Sequence, residues 1–273
     1  MIPAIARIEV HGVLRARWFT AAVTLASALV GFFMLVATRE SSVIGFTGFG
    51  RVMGGVVQAS LLFVPLLALT STTQAVTSAR QGGVLEWYLS YPNGRGRCFW
   101  ALFVPRLTAV ALPVGGAVAI LGLVAALMGQ PVSPGLLAAF CTLLVGQAAC
   151  FSALGMWVST GARTTEQALL RGLLLWMAAV ALVDFVILGL MLRWDMPPAL
   201  VFILAGVNPV QAARVGILAT VDPELGVLGP VGTWAVTTLG TGPTIAWGLS
   251  WPFLVGGAAL LAARRRFGLA DVL

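Results

Sequence analysis

The chain has 273 residues, 59% of them hydrophobic and 9% charged, with a mean hydropathy of +1.00. A soluble domain carries about a quarter charged residues. Sixteen basic and nine acidic side chains cannot clothe a water-facing surface of this size, so a soluble enzyme, a disordered tail and a disulfide scaffold are excluded and a multi-span membrane protein remains.

A helix needs about 20 apolar residues to cross about 30 Å of hydrocarbon, and the charge-free stretches supply six such spans. Ahead of the first lies an amphipathic segment in which Arg7, His11 and Arg15 form an i, i+4, i+8 stripe, with Ile2, Ala6, Val10 and Val13 opposite. That pattern predicts an elbow helix lying in the membrane interface. Span one is expected at 18–37; it is too long for the apolar region of a signal peptide and no A-x-A site follows, so it reads as a retained span. Span two lies within 52–79 and contains Pro65. Residues 80–105 then form a connecting segment in which Val84, Leu85, Tyr88 and Leu89 share one helical face, ended by the turn signal Pro92-Asn93-Gly94. No charge falls between Arg106 and Arg163, but a Gly/Pro-rich break at 129–135 divides that stretch into span three, ending near Met128, and span four at 136–160. Span five, 172–192, carries Asp184 near its middle. A carboxylate there costs roughly 2.5–3.5 kcal/mol on insertion scales, so it needs a partner or a polar cavity; both a structural interhelical bond and a place on a path or gate fit. The long segment 193–243, rich in Gly and Pro, predicts short external or re-entrant helices, and 244–263 is the last span. A further span near 199–207 is too short and bounded by prolines.

Sidedness follows from arginine, since all sixteen basic residues are Arg. With the N-terminus inside, Arg7, Arg15, Arg17, Arg80, Arg95, Arg97, Arg106, Arg163, Arg171, Arg264, Arg265 and Arg266 are cytoplasmic, against Arg39, Arg51, Arg193 and Arg214 outside. The bias predicts that both termini are cytoplasmic. The lack of Lys removes the residue that a P-loop or a Schiff base requires. A single His excludes an H-E-x-x-H zinc site. Cys141 and Cys150 are nine positions apart and fall on opposite faces of one helix. Met34, Met53, Met128, Met191 and Met196 gather toward the outer side, where they read as apolar filler more readily than as a Cu(I) site. No metal ligand set is assigned.

The run Gly83-Val84-Leu85-Glu86, followed by Pro92 and Arg95, resembles the cytoplasmic coupling segment of ABC-2 type transporter permeases. The stretch Gly45-Phe46-Thr47-Gly48-Phe49-Gly50-Arg51 before span two, and Asn208-Pro209-Val210-Gln211-Ala212-Ala213-Arg214 after span five, resemble the NosY-like branch associated with multicopper-enzyme maturation and nitrous oxide reductase assembly. Two positions depart from that pattern: Arg80-Gln81-Gly82 stands where acidic residues usually precede the glycine, and Gln211 where an acid is frequent. The resemblance spans most of the chain. It implies one permease domain over 1–273: an all-α membrane protein of six transmembrane helices with cytoplasmic elbow and coupling helices. It implies the cytoplasmic (inner) membrane of a bacterium or archaeon. No cofactor is expected on this chain; two copies of a separate ABC ATPase would bind ATP and Mg. The expected partners are that ATPase, a second copy of the chain, membrane lipid and a periplasmic protein at the outer loop, with no nucleic acid. ATPase coupling is assigned to Gly83, Val84, Leu85, Glu86, Tyr88, Leu89, Pro92 and Arg95, with the apolar face expected to dominate docking. Translocation or gating is assigned to Asp184, Asn208, Pro209 and Arg214. The implied function is the permease subunit of an ATP-driven exporter or mechanotransmission complex. The alternative is a non-transporting scaffold that anchors a maturation complex, and an intramembrane enzyme has no nucleophile–base pairing in its favour.

Overall fold

Backbone in hydrocarbon must satisfy its own hydrogen bonds, so charge-free stretches of this length fold as helices. A computed structural model describes residues 2–15, 19–20, 23–24, 27, 48–90, 94–127, 133–194 and 196–269. In chain order the helices are α1 (Ile2–Arg15), α2 (Gly48–Thr72), α3 (Ala75–Gln81), α4 (Val84–Ser90), α5 (Arg95–Leu127) and α6 (Pro134–Gly161). Next come α7 (Thr165–Met177), a π-helical turn (Ala178–Leu182), α8 (Val183–Arg193), α9 (Pro198–Gly206), α10 (Pro209–Val221), α11 (Gly229–Leu239) and α12 (Thr241–Leu269). No strand occurs among the described residues. This is an all-α membrane protein.

Among the described residues, five stretches are long and apolar enough to cross a membrane: Val57–Gln81, Arg95–Val124, Pro134–Gly161, Thr165–Arg193 and Thr241–Leu269. They answer to five of the six expected spans. The expected span at 18–37 lies almost wholly outside the described residues. Two boundaries differ from expectation. The segment 80–105 is not all connector, because α5 starts at Arg95 and runs through Arg106. Arg106 is tolerated inside the helix since its guanidinium folds back to donate to the Leu102 carbonyl at 2.8 Å. Span two also breaks, at Thr73-Gln74, before α3.

Helix α6 is the centre of the bundle and packs against α2, α5, α10 and α12. Its Phe140, Leu143 and Phe151 meet Leu61 and Leu69 of α2, Val110 and Val114 of α5, and Val210 and Ile217 of α10 in one buried cluster. Ser133 caps α6, accepting from the Leu136 amide at 3.1 Å with Pro134 in the first turn. Helices α10 and α12 cross at two glycines: a Cβ on Gly248 would lie 2.5 Å from the Gly216 Cα and 2.6 Å from the Ala212 carbonyl. Helix α1 packs on α5, burying Val13 and leaving Arg7, His11 and Arg15 exposed, as the amphipathic stripe requires.

The bundle ends can be told apart by arginine. Arg95 Nη1 donates to the Gly268 carbonyl at 2.9 Å, Arg171 Nη1 to Gly161 at 3.0 Å and Arg80 Nη1 to Ala162 at 3.2 Å. The start of α5, the end of α6, the start of α7 and the end of α12 therefore share one arginine-rich end. Since α7–α8 runs away from that end and α12 returns to it, residues 194–240 begin and end at the opposite face. The pair α9 and α10, bent by 115°, is thus a re-entrant hairpin, which also explains why 199–207 is too short to be a span.

Candidate functional site

The re-entrant hairpin turns at Val207-Asn208, and its depth can be read from the helices it touches. Asn208 Nδ2 donates to the Ala179 carbonyl at 2.5 Å. The Pro209 carbonyl accepts from Gln147 Nε2 of α6 at 2.9 Å. The Val207 carbonyl accepts from Trp251 Nε1 of α12 at 3.0 Å. At 1.5 Å per residue, these partners lie about 15–21 Å in from the far ends of their helices. Irregular backbone at that depth must be satisfied by protein. Here three helices meet the three consecutive residues 207–209. Asn208 also caps α10, its side chain accepting from the Val210 amide at 2.9 Å, and Pro209 takes the first helical position, where its missing N–H costs nothing. The carbonyl that Asn208 reaches lies in the π-helical turn, where the widened turn displaces carbonyls from the ordinary i→i−4 ladder.

One turn further along α10, Gln211 and Arg214 face Asp184. Arg214 Nη1 lies 3.2 Å from Asp184 Oδ2, and Gln211 Nε2 donates to Asp184 Oδ1. Both carboxylate oxygens thus have a donor, which answers the insertion cost that the sequence poses. The pair is not sealed: the Asp184 side chain is 39% exposed and that of Arg214 19%. Arg214 Nε is buried with no hydrogen-bond partner. Span five exposes Leu174, Met177, Phe185, Leu188 and Leu192 around this half-open pair.

At the arginine-rich end, α3 and α4 stack on the bundle. Gly83, at φ +67°, makes the turn between them, a conformation that favours glycine. Leu85 (1% exposed) and Tyr88 (4%) are buried with Phe99, Leu102, Met156, Ala263 and Phe267. Val84, Glu86 and Trp87 point outward, Trp87 being 51% exposed. The expectation that the shared apolar face docks a partner is therefore corrected. Helical periodicity finds the face, but Leu85 and Tyr88 use it to hold α4 to its own bundle. Arg95 is likewise engaged within the chain, at the last turn of α12, where a cation favours free carbonyls. The Leu89 side chain and Pro92 lie outside the described residues. The stack is tied to the α6–α7 turn: Thr165 Oγ1 donates to Gln81 Oε1 at 2.5 Å, and the Val76 amide to Ser159 Oγ at 2.9 Å.

Residues 3–222 match the family described as ABC-2 family transporter protein. The chain belongs to the ABC-2 transporter family. It is 28% identical over 227 residues to "Probable ABC transporter permease protein NosY" of Pseudomonas aeruginosa, covering 80% of this chain and 82% of that protein. A protein of the same name from Stutzerimonas stutzeri is 31% identical over 110 residues, 40% of each chain. Members of this family are multi-pass membrane subunits of bacterial ABC transporters; they are not themselves the ATPase and work with one.

The four residues assigned to gating, Asp184, Asn208, Pro209 and Arg214, come together at the hairpin. Gln211 belongs with them as a donor to Asp184 and was visible in the sequence only as a departure from the branch pattern. Gln147 and Trp251 carried one signal, a polar group inside an apolar span, and nothing that named their partners. Cys98, Cys141 and Cys150 are not joined in disulfides, and no group of three or more His, Cys, Asp or Glu converges among the described residues.

Proposed function

We propose that this chain is the permease subunit of an ATP-driven ABC-2 exporter or mechanotransmission complex, working as a dimer with two copies of a separate ATPase that binds ATP and Mg. The observation that carries the reading is the geometry of α4. It is a short helix anchored from beneath by Leu85 and Tyr88 and presenting Val84, Glu86 and Trp87 to solvent. A lever needs both properties, a rigid seat and an outward contact face. Our reading puts the second copy against span five; what supports it is that a half-exposed carboxylate–guanidinium pair in hydrocarbon is costly unless another protein surface covers it. The arginine distribution supports both termini in the cytoplasm and an inner-membrane location. The NosY-like resemblance supports service in metalloenzyme maturation, with a periplasmic partner at α9–α11.

Co-expression with the cognate ABC ATPase, followed by gentle purification, tests the reading. Trp87→Ala combined with Val84→Asp should strip the ATPase from an otherwise intact membrane subunit, because an exposed Trp is the kind of residue that dominates an interface. ATPase retained at the wild-type ratio would sink α4 as the docking element, and an ATPase that never associates with the wild-type chain would sink the assignment as a whole.

A further inference from the structure

Three guanidinium groups converge where α6 ends. Arg80 of α3 donates to the Ala162 carbonyl and Arg171 of α7 to the Gly161 carbonyl. Arg266 of α12 comes so close that a Cβ on Gly161 would lie 2.5 Å from its Nη1. The helix C-terminus offers about half a negative charge to this group. None of the three is paired with a carboxylate among the described residues. Arg80 Nε is buried without a hydrogen-bond partner. About two and a half positive charges are left uncompensated within one small volume.

The cluster also sits at a defined depth. Helices α6 and α12 finish here and α7 begins. One turn back along α6, Trp157 is 40% exposed and lies under Arg266, 5.7 Å from ring centroid to guanidinium carbon. Tryptophans at span ends mark the headgroup level, so the arginines lie where lipid phosphates lie.

We propose that Arg80, Arg171 and Arg266 form a binding site for the phosphodiester of an anionic phospholipid. Arginine forks match phosphate oxygens in pairs. Arg171 and Arg266 are exposed and present those forks, while Arg80 sets the charge behind them. The opposite face supplies a comparison: Arg193 lies over Trp194, 5.9 Å from ring centroid to guanidinium carbon.

The test is native mass spectrometry of the full chain in detergent, titrated with cardiolipin, phosphatidylglycerol, phosphatidylcholine and, separately, inorganic phosphate. Wild type should retain the anionic lipids and release phosphatidylcholine. Each guanidinium removed should weaken retention about fivefold, so Arg171→Gln with Arg266→Gln should lose about 25-fold while Arg193→Gln loses nothing. Retention unchanged in the double variant overturns the site, as does equal retention of phosphatidylcholine by wild type. Inorganic phosphate that displaces the lipid at millimolar concentration assigns the arginines to a free anion and overturns the lipid source. ATPase binding lost with lipid retention intact assigns them to the protein partner and overturns it too. Should the double Gln variant fail to fold, Arg171→Lys with Arg266→Lys keeps the charge and removes the forks. A loss of several-fold then supports the site, and none overturns it.

Discussion

Asp184 offers the sharpest test of the re-entrant hairpin. Asp184→Asn keeps the shape of the side chain and an acceptor for Gln211, and removes the charge facing Arg214. At the 3.2 Å separation the bare Coulomb term is about 5 kcal/mol for an effective dielectric of about 20. Desolvation of both groups offsets most of it, and the 39% exposure of Asp184 screens what remains. A coupling of about 1–2 kcal/mol is the expected residue, near the upper end of interhelical polar interactions measured in membranes. The assay is a double-mutant cycle of Asp184→Asn and Arg214→Gln, read by titrating the detergent-purified chain with a denaturing detergent. Each single variant should cost more than half of what the double variant costs, because either one leaves a charge without its partner at membrane depth. Additivity within about 0.5 kcal/mol would show that the two charges do not stabilise each other, and the hairpin would have to be held by its tip and its apolar packing instead.

The tip has its own test. Asn208→Ala removes the α10 cap and the bond to Ala179 and should cost about 1–3 kcal/mol, whereas Asn208→Ser keeps a capping oxygen and loses the bond to Ala179, and should cost less; the same titration separates them. Gly248→Ala forces α10 and α12 apart and should cost about 1–3 kcal/mol. Gly257→Ala, on the same helix with open space around it, should be close to neutral, and equal effects would refute the close crossing. Leu85→Ala should lower thermal stability by about 2–4 kcal/mol through the seat of α4. Trp87→Ala should leave the melting of the isolated subunit nearly unchanged while weakening ATPase co-purification.

What was legible in the sequence follows the range over which each signal acts. Spans were legible because hydrocarbon thickness fixes a length and charge fixes an end. The start of α5 was missed for the same reason: Arg106 interrupts the charge-free run, and nothing local says that its guanidinium folds back onto Leu102. In α4 the period of 3.6 revealed a face but not which way it points. That is decided by Phe99, Met156 and Phe267, which come from three other helices. Asp184 announced that it needed a partner, and Arg214 is one of the few charges on the same side of the membrane, so the grouping was within reach. The contacts of Gln147 with Pro209 and of Trp251 with Val207 were not. They cross 62 and 44 residues of chain and depend on a bend that no local propensity specifies.

Under the proposed reading, the arrangement of rods matters more than any single bond. Helix α6 touches the coupling stack through Ser159 and Val76 at one end and holds the Pro209 carbonyl through Gln147 toward the other. Helices α7 and α8 form a second rod, touching the stack through Thr165 and Gln81 and holding Asn208 and the α10 side chains through Ala179 and Asp184. The third rod, α12, holds the Val207 carbonyl through Trp251 and meets the start of α5 through Gly268 and Arg95. If all three moved together, the hairpin would ride along unchanged. A tilt of α3–α4 that moves α7 relative to α6 must instead shear residues 207–209, because neighbouring atoms there are fastened to different rods. The π-helical turn is where the second rod can yield, since its hydrogen-bond ladder is already widened. A displacement at the coupling end would therefore appear first at Asn208, before the outer helices move.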